Sequence, residues 1–112
     1  MSYDRYSAYR VMWLFVMFDL PTETKRDRKN ASQFRKQLID NGFTMMQFSI
    51  YLRHCASKEN GEVHHKRVLA LLPPHGMVNI LSVTDKQFGT MEIFINTKQV
   101  DEIETPQQLE LF

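Results

Sequence analysis

The spacing of apolar and polar residues predicts a chain of alternating strands and helices. Residues 11–18, Val-Met-Trp-Leu-Phe-Val-Met-Phe, are apolar at every position and are followed by Asp19 and Pro21. A short run that is apolar on both faces is typical of a central strand covered on both sides. A buried helix is the competing interpretation, although eight residues are few for a helix.

The next segment, 22–41, has helical periodicity. Thr22 or Thr24 can cap its start, and Asn41-Gly42 supplies a left-handed stop. Its first two turns contain no apolar residue, and one apolar stripe follows, formed by Ala31, Phe34 and Leu38.

The rest of the chain predicts one strand pattern, one helix and two further strands. Residues 44–52 alternate and favour a strand with one buried face, either in one piece or bent into two. A helix is expected from about residue 62 to 72, after the polar segment that ends at Asn60-Gly61. Two strands, 77–84 and 91–96, are expected around a turn that contains Asp85 and Gly89.

This order predicts an α+β fold: a ferredoxin-like sandwich, with an antiparallel sheet and both helices on one face. One helix layer leaves the other sheet face uncovered, so we expect a homodimer through the sheet. The predicted organisation is a flexible, tyrosine-rich N-terminal extension (1–9), the ferredoxin-like domain (10–96) and an acidic C-terminal tail (97–112). The tail is expected to add an edge strand, to its own sheet or to that of a partner subunit.

Composition narrows the class of protein. The 112 residues fit one domain, and 43% hydrophobic with 24% charged residues is ordinary for a globular protein. A single cysteine, Cys55, excludes an internal disulfide and a cysteine zinc site, which fits a reducing compartment. No apolar run approaches the ~20 residues that span a bilayer, so we expect a cytoplasmic protein with no membrane partner.

The formal net charge of +1 conceals an uneven distribution. Residues 25–36 contain one acid and six bases, namely Lys25, Arg26, Arg28, Lys29, Arg35 and Lys36. All but Arg26 fall within an arc of roughly 120° on a helix. Four lie in the first two turns, where the helix dipole disfavours cations. This pattern indicates a phosphate-binding surface, with a solvated helix face as the alternative.

Asp19 is the leading candidate for a catalytic or metal-binding residue, because it lies at the carboxyl end of an apolar strand. In α/β-type sheets, ligand-binding groups often lie at the carboxyl ends of strands. The alternative is a residue that only caps a turn. Adjacent His64 and His65 diverge by ~100° on a helix and are expected to be a solvated pair. Cys55 is expected to be a plain thiol and Trp13 to pack in the core.

Together these residues resemble a known family. The run from Trp13 to Pro21 ends a first strand in an aspartate, and a basic helix with Phe34-Arg35-Lys36 follows, ending in Asn41-Gly42-Phe43. Further motifs are Met46-Gln47-Phe48-Ser49-Ile50-Tyr51 and Thr84-Asp85-Lys86-Gln87-Phe88. Over about residues 10–96 the chain is similar to the small CRISPR-associated nuclease, the protein-two family that partners the spacer-adaptation integrase. The motifs look most like those of the branch found in type II systems.

The resemblance implies a ferredoxin-like homodimer with magnesium-dependent endonuclease activity on RNA or double-stranded DNA. It also implies a bridge between integrase dimers that holds the DNA to be inserted as a spacer. The family's metal-binding, catalytic aspartate matches Asp19, and Arg26, Arg28 and Arg35 match its nucleic-acid contacts. One carboxylate is few for Mg²⁺, but a two-fold axis would bring two together.

Two functions therefore stay open. The first is a metal-dependent phosphodiesterase built on Asp19, although no obvious general base accompanies it. The second is a structural DNA-binding adaptor without physiological nuclease activity, whose acidic tail (97–112) would grip the integrase. A regulatory ferredoxin-like domain with no nucleic-acid role is a third and weaker interpretation.

Overall fold

The computed structural model describes residues 11–100 of the chain. The predicted N-terminal extension and the tail beyond residue 100 lie outside the described residues. Within the described range nine elements follow one another in chain order: β1 (Met12–Asp19), α1 (Lys25–Asp40), β2 (Thr44–Gln47), β3 (Ile50–Cys55), α2 (Lys58–Leu71), β4 (Met77–Thr84), α3 (Asp85–Phe88), β5 (Ile93–Ile95) and β6 (Lys98–Val100).

Four strands form one antiparallel sheet in the order β2-β3-β1-β4. β1 is central, as its apolar run predicts, and Leu14 faces Arg53 of β3 on one side and Ser82 of β4 on the other. This order, with a helix after β1 and another after β3, is the ferredoxin-like arrangement. The predicted α+β class and fold are confirmed.

The main core lies between the sheet and the two long helices. Leu14, Val16 and Phe18 of β1 point to this side, where they pack with buried residues of the helices: Phe34 and Leu38 of α1 and Val68 of α2. The rings of Phe18 and Phe34 meet edge to face, with centroids 5.1 Å apart. Burial of these large apolar side chains holds α1 against the strand that ends in Asp19.

The opposite side of the sheet, named the open face here, carries the alternate residues of β1. Trp13 is buried there because Phe88 of α3 stacks on it, with ring centroids 3.9 Å apart. The sheet positions nearer Asp19 are less covered, and Leu81 and Met77 of β4 are 50% and 59% exposed. An apolar surface of this kind on a small domain is typical of a protein–protein contact.

The 44–52 segment is divided into two pieces, as one interpretation expects, but the chain reverses direction between them instead of only bending. β2 and β3 pair as an antiparallel hairpin with a register shift between Met45 and Gln47. Ser49 adopts a positive φ of 70° in the turn. The expected helix at 62–72 begins earlier, at Lys58, because the Ser57 side chain accepts a hydrogen bond from the Asn60 N–H. Gly61 therefore lies inside a helix.

The prediction for residues 85–96 is wrong in two respects. The expected turn is the short helix α3, in which Thr84 and Gln87 form a capping box. The expected strand 91–96 is shorter and pairs with β6 in a separate two-stranded sheet. The predicted boundary at residue 96 falls inside this hairpin, where Asn96 and Thr97 have φ values of 51° and 67°.

Within residues 11–100, no helix combines the length and the apolar character needed to cross a membrane.

Candidate metal site and nucleic-acid interface

Asp19 is the last residue of β1 and its side chain is exposed. Strand alternation places it on the open face, on the same side as Trp13 and opposite to Phe18. Its neighbour across the sheet is Met77 of β4. The carboxylate therefore lies at one end of an apolar, partly exposed surface.

Gly76 brings the end of β4 close to this position. A Cβ at Gly76 would lie 2.8 Å from the carbonyl oxygen of Asp19 and 2.7 Å from a methyl group of Leu20, and its φ is +100°. Only glycine fits this approach without strain. The turn that ends at Gly76 is therefore packed closely against the backbone of Asp19.

A single chain offers one carboxylate at this place. Among residues 11–100, no group of three or more His, Cys, Asp or Glu side chains converges in a way that could hold a metal ion. An exposed carboxylate is a ligand that Mg²⁺ accepts, but Mg²⁺ is usually held by one or two carboxylates together with water and substrate phosphates. The described part of one chain therefore offers one candidate carboxylate ligand and no complete metal site.

The start of α1 is fixed by a capping box. The Asp27 N–H donates to Thr24 Oγ1 over 3.0 Å, and the Thr24 N–H donates to Asp27 Oδ2 over 3.4 Å. The carboxylate of Asp27 also offsets the positive end of the helix dipole. This cap explains how the first turns tolerate several cations.

Three of the predicted basic residues lie together. Lys25, Arg26 and Lys29 are exposed and line one shallow surface groove. The same groove is lined by Asn30 and Gln33, whose amides can donate hydrogen bonds to phosphate oxygens. The sequence prediction included the three cations and missed the two amides. Asn30 and Gln33 follow Arg26 and Lys29 by four residues each, and this spacing could have indicated that they share one face of the helix.

Two other predicted residues, Arg28 and Arg35, are engaged within the chain. Nη1 of Arg28 donates to the carbonyl oxygens of Thr22 and Glu23, over 3.0 and 3.2 Å. Arg35 is half-buried and its Nη2 donates to Ser49 Oγ over 3.3 Å. These hydrogen bonds tie α1 to the loop before it and to the β2–β3 turn, so the two arginines are less available for phosphate.

Lys36, the last of the predicted set, is exposed on α1. The other cations of α1 are likewise exposed, except Arg35, which is half-buried against the β2–β3 turn. The structure brings Lys25, Arg26 and Lys29 together in one groove, and Asp19 is not among the residues that line it.

The prediction that His64 and His65 form a solvated pair is correct for His65 and wrong for His64. His65 is exposed, but His64 is buried with 5% exposure, because it follows the same helical stripe as Val68. Its Nδ1 has no hydrogen-bond partner, and burial with the charges of Arg53 and Arg67 lowers the pKa of His64. Cys55 is buried as a free thiol, and burial raises its pKa, consistent with an unreactive residue.

Comparison with known proteins gives a consistent result. The family model for "CRISPR associated protein Cas2" matches residues 12–91. A protein of Flavobacterium psychrophilum called CRISPR-associated endoribonuclease Cas2 is 56% identical over 110 residues, covering 98% of this chain and 96% of its own. A protein of the same name from Parvibaculum lavamentivorans is 50% identical over 101 residues, covering 90% of this chain and 100% of its own.

A third protein with that name, from Paracidovorax avenae, is 42% identical and covers 95% of this chain and 98% of its own. The matched region contains Asp19, all of α1 and the β2–β3 turn. The resemblance to the type II branch stays a prediction, whereas the family is settled by both kinds of match: the chain belongs to the Cas2 family of CRISPR-associated proteins.

Proposed function

We propose that this protein is a Mg²⁺-dependent endonuclease that works as a homodimer joined through the open face. The observation that carries the proposal is the position of Asp19, an exposed carboxylate at the end of the apolar open face. Two copies that pair through this face around a two-fold axis would bring two Asp19 carboxylates to one place. The names of the relatives favour RNA as the substrate, with double-stranded DNA as the second substrate class.

The residues fit Mg²⁺ only as a shared site. A pair of Asp19 carboxylates would supply two negatively charged oxygen ligands, and phosphate and water would complete the set. When bound, the ion would activate a water and offset charge on the scissile phosphate. Asp19 of each copy would hold the ion, and the rigid strand behind it would fix the carboxylates.

The test of this function is the exchange of Asp19 for asparagine, which keeps the size and removes the charge. Asp19→Asn should abolish Mg²⁺-dependent cleavage of single-stranded RNA or duplex DNA while the dimer persists. Asp40→Asn, at the exposed end of α1, is the matched control and should cleave like the wild type. Cleavage by Asp19→Asn at the wild-type rate would reject the nuclease function.

A second function is favoured by a separate observation, the groove lined by Lys25, Arg26 and Lys29. Asp19 is not among the residues that line this groove, so nucleic acid bound there does not need to contact the carboxylate of the same chain. We infer a bridging role in spacer acquisition, in which the groove binds DNA and the adaptation integrase docks elsewhere on the dimer. The acidic tail is the proposed integrase contact.

The two functions are separated by assays of spacer acquisition. If bridging is the physiological role, Asp19→Asn should acquire spacers like the wild type, whereas a nuclease role requires a loss. Deletion of residues 101–112 removes most of the acidic tail and leaves the β5–β6 hairpin complete. Undiminished co-purification of this truncated protein with the integrase would exclude the tail as the main docking segment.

A further inference from the structure

The β2–β3 turn exposes an aromatic ring that lies outside both the Asp19 site and the α1 groove. Phe48 is 77% exposed, the highest value among the large exposed apolar side chains in residues 11–100. A lone apolar residue on a surface is ordinary. This ring differs because a charged group of α1 lies against it: the guanidinium carbon of Arg35 is 4.4 Å from the ring centroid.

The arrangement is held in place by neighbouring hydrogen bonds. Nη2 of Arg35 donates to Ser49 Oγ over 3.3 Å, and the backbone N–H of Phe18 donates to the carbonyl oxygen of Ser49 over 3.0 Å. The same guanidinium lies 5.4 Å from the ring centroid of Phe18 in the core. Arg35 is therefore fixed between a buried and an exposed aromatic ring, and its Nε is buried without a partner.

One face of the Phe48 ring is thus covered by a cation, and its high exposure leaves the other face open to solvent. A planar, electron-rich group that carries negative charge nearby would complement this pair. An unpaired nucleotide has both properties, since its base can stack on the ring and its phosphate is attracted by the positive charges of Arg35 and of the exposed Lys36, without a direct bond to Arg35. A paired base inside a duplex presents no free face.

We propose that Phe48 and Arg35 form a stacking platform for an unpaired nucleobase. The proposal rests on the nucleic-acid-binding function and deepens it, because it names the substrate feature that is recognised: a single-stranded segment, either in RNA or at the frayed end of a duplex. Phe48 supplies the stacking surface, and Arg35 is the positioning residue that orients the ring.

The platform is distant from the proposed metal ligand in the sequence but lies near it in the fold. The hydrogen bond from Phe18 to Ser49 joins the residue before Asp19 to the residue after Phe48. A single strand with one base on Phe48 would therefore be held at the end of the sheet where β1 ends. This gives the nuclease hypothesis a means of preferring single strands.

The test uses short single-stranded RNA with a central 2-aminopurine, whose fluorescence is quenched on stacking, in EDTA so that no metal-dependent cleavage occurs. The wild type should bind and quench. Phe48→Ala should lose the quenching and bind the RNA about tenfold more weakly, while blunt duplex DNA is bound as before. Phe48→Trp should restore both quenching and affinity. Phe94→Ala, at a ring 58% exposed on β5, is the matched control and should behave like the wild type.

The outcomes separate the platform from the proposed nuclease. If Asp19→Asn does not cleave RNA but still quenches the fluorescence of 2-aminopurine, the platform is supported independently of the nuclease site. If the wild type quenches this fluorescence but never cleaves RNA, only the nuclease function is rejected. Wild-type affinity and quenching in Phe48→Ala would overturn the platform. So would an equal loss of single-strand and duplex binding, a change in oligomeric state caused by Phe48→Ala, or failure of the wild type to bind the RNA at all.

Discussion

Nε1 of Trp13 donates a hydrogen bond to Oδ1 of Asp85 over 2.7 Å, joining positions 72 residues apart in the chain. Phe88, one turn later in α3, stacks on the same indole. The hydrogen bond and the stacked ring together hold α3 over one end of the open face. The fold of α3 and the burial of Trp13 are therefore coupled.

Asp85→Ala should destabilise the protein by about 1–3 kcal/mol, because it leaves the buried indole N–H without its charged acceptor. Asp85→Asn keeps an acceptor oxygen and should cost less. Trp13 is the only tryptophan, so its fluorescence reports the site directly during urea unfolding. Equal unfolding midpoints for the wild type and Asp85→Ala would contradict this assignment.

The sequence predicted what depends on local periodicity. The apolar run of β1 and the stripe of α1 required no tertiary information, because each is a single pattern of the matching length. The short helix α3 was missed although Thr84 and Gln87 have the spacing of a capping box. Burial of His64 was not predicted, because it follows from the four-residue spacing between His64 and Val68 and not from the divergence of the two adjacent histidines.

The sequence indicates which residues could form the candidate site, but it does not indicate how they group in space. Asp19 and the cations of α1 stand out in the sequence by position and charge. The contact between Arg35 and Phe48 depends on the turn at Ser49 and on the packing of α1 against the sheet. Neither feature can be predicted from the local periodicity of the sequence. The division between the groove and the open face is likewise a tertiary property.

The buried imidazole of His64 predicts loss of stability in mild acid. Burial, with the nearby charges of Arg53 and Arg67, holds the pKa of His64 below its ordinary 6.5. Below about pH 6.5 the unfolded chain therefore takes up a proton that the folded chain does not. The free energy of unfolding should fall as the pH drops below that value, by up to ~1.4 kcal/mol per pH unit, until the folded-state pKa is reached.

The measurement is urea unfolding at pH 8, 6.5 and 5.5. His64→Gln should remove this contribution, so that its stability changes less with pH than that of the wild type. His65→Gln alters the exposed neighbouring imidazole and should retain the wild-type pH dependence. Parallel curves for the wild type and His64→Gln would show that another group is responsible.

The open face predicts the position of a dimer interface. Leu81 of β4 lies opposite Phe15 of β1, and its side chain is 50% exposed. Leu81→Arg should convert a dimer to a monomer in sedimentation equilibrium, because it places a charge in an apolar interface. Leu69→Arg is a close control, since Leu69 is 48% exposed on α2 in the helix layer and should leave the dimer intact. A wild-type monomer, or a Leu81→Arg dimer of unchanged affinity, would refute pairing through this face.

The groove on α1 predicts salt-dependent binding of duplex DNA. Neutralising Lys25, Arg26 and Lys29 to glutamine should weaken binding at low salt. The slope of log K against log salt concentration should become shallower by about 0.9 for each phosphate that the variant no longer neutralises, or roughly 3 for all three. Arg28 and Arg35 are left unchanged because their hydrogen bonds to the loop and the β2–β3 turn support the fold.

Stability distinguishes this weaker binding from unfolding. Removing cations from the first turns of α1 relieves their repulsion by the helix dipole, so the triple variant should be as stable as the wild type or slightly more so. The control neutralises Lys58, Lys66 and Arg67, which are exposed on α2 outside the groove. The control should keep the wild-type slope. If both triple variants lower the slope equally, duplex DNA is attracted by overall charge, and the groove is not its binding surface.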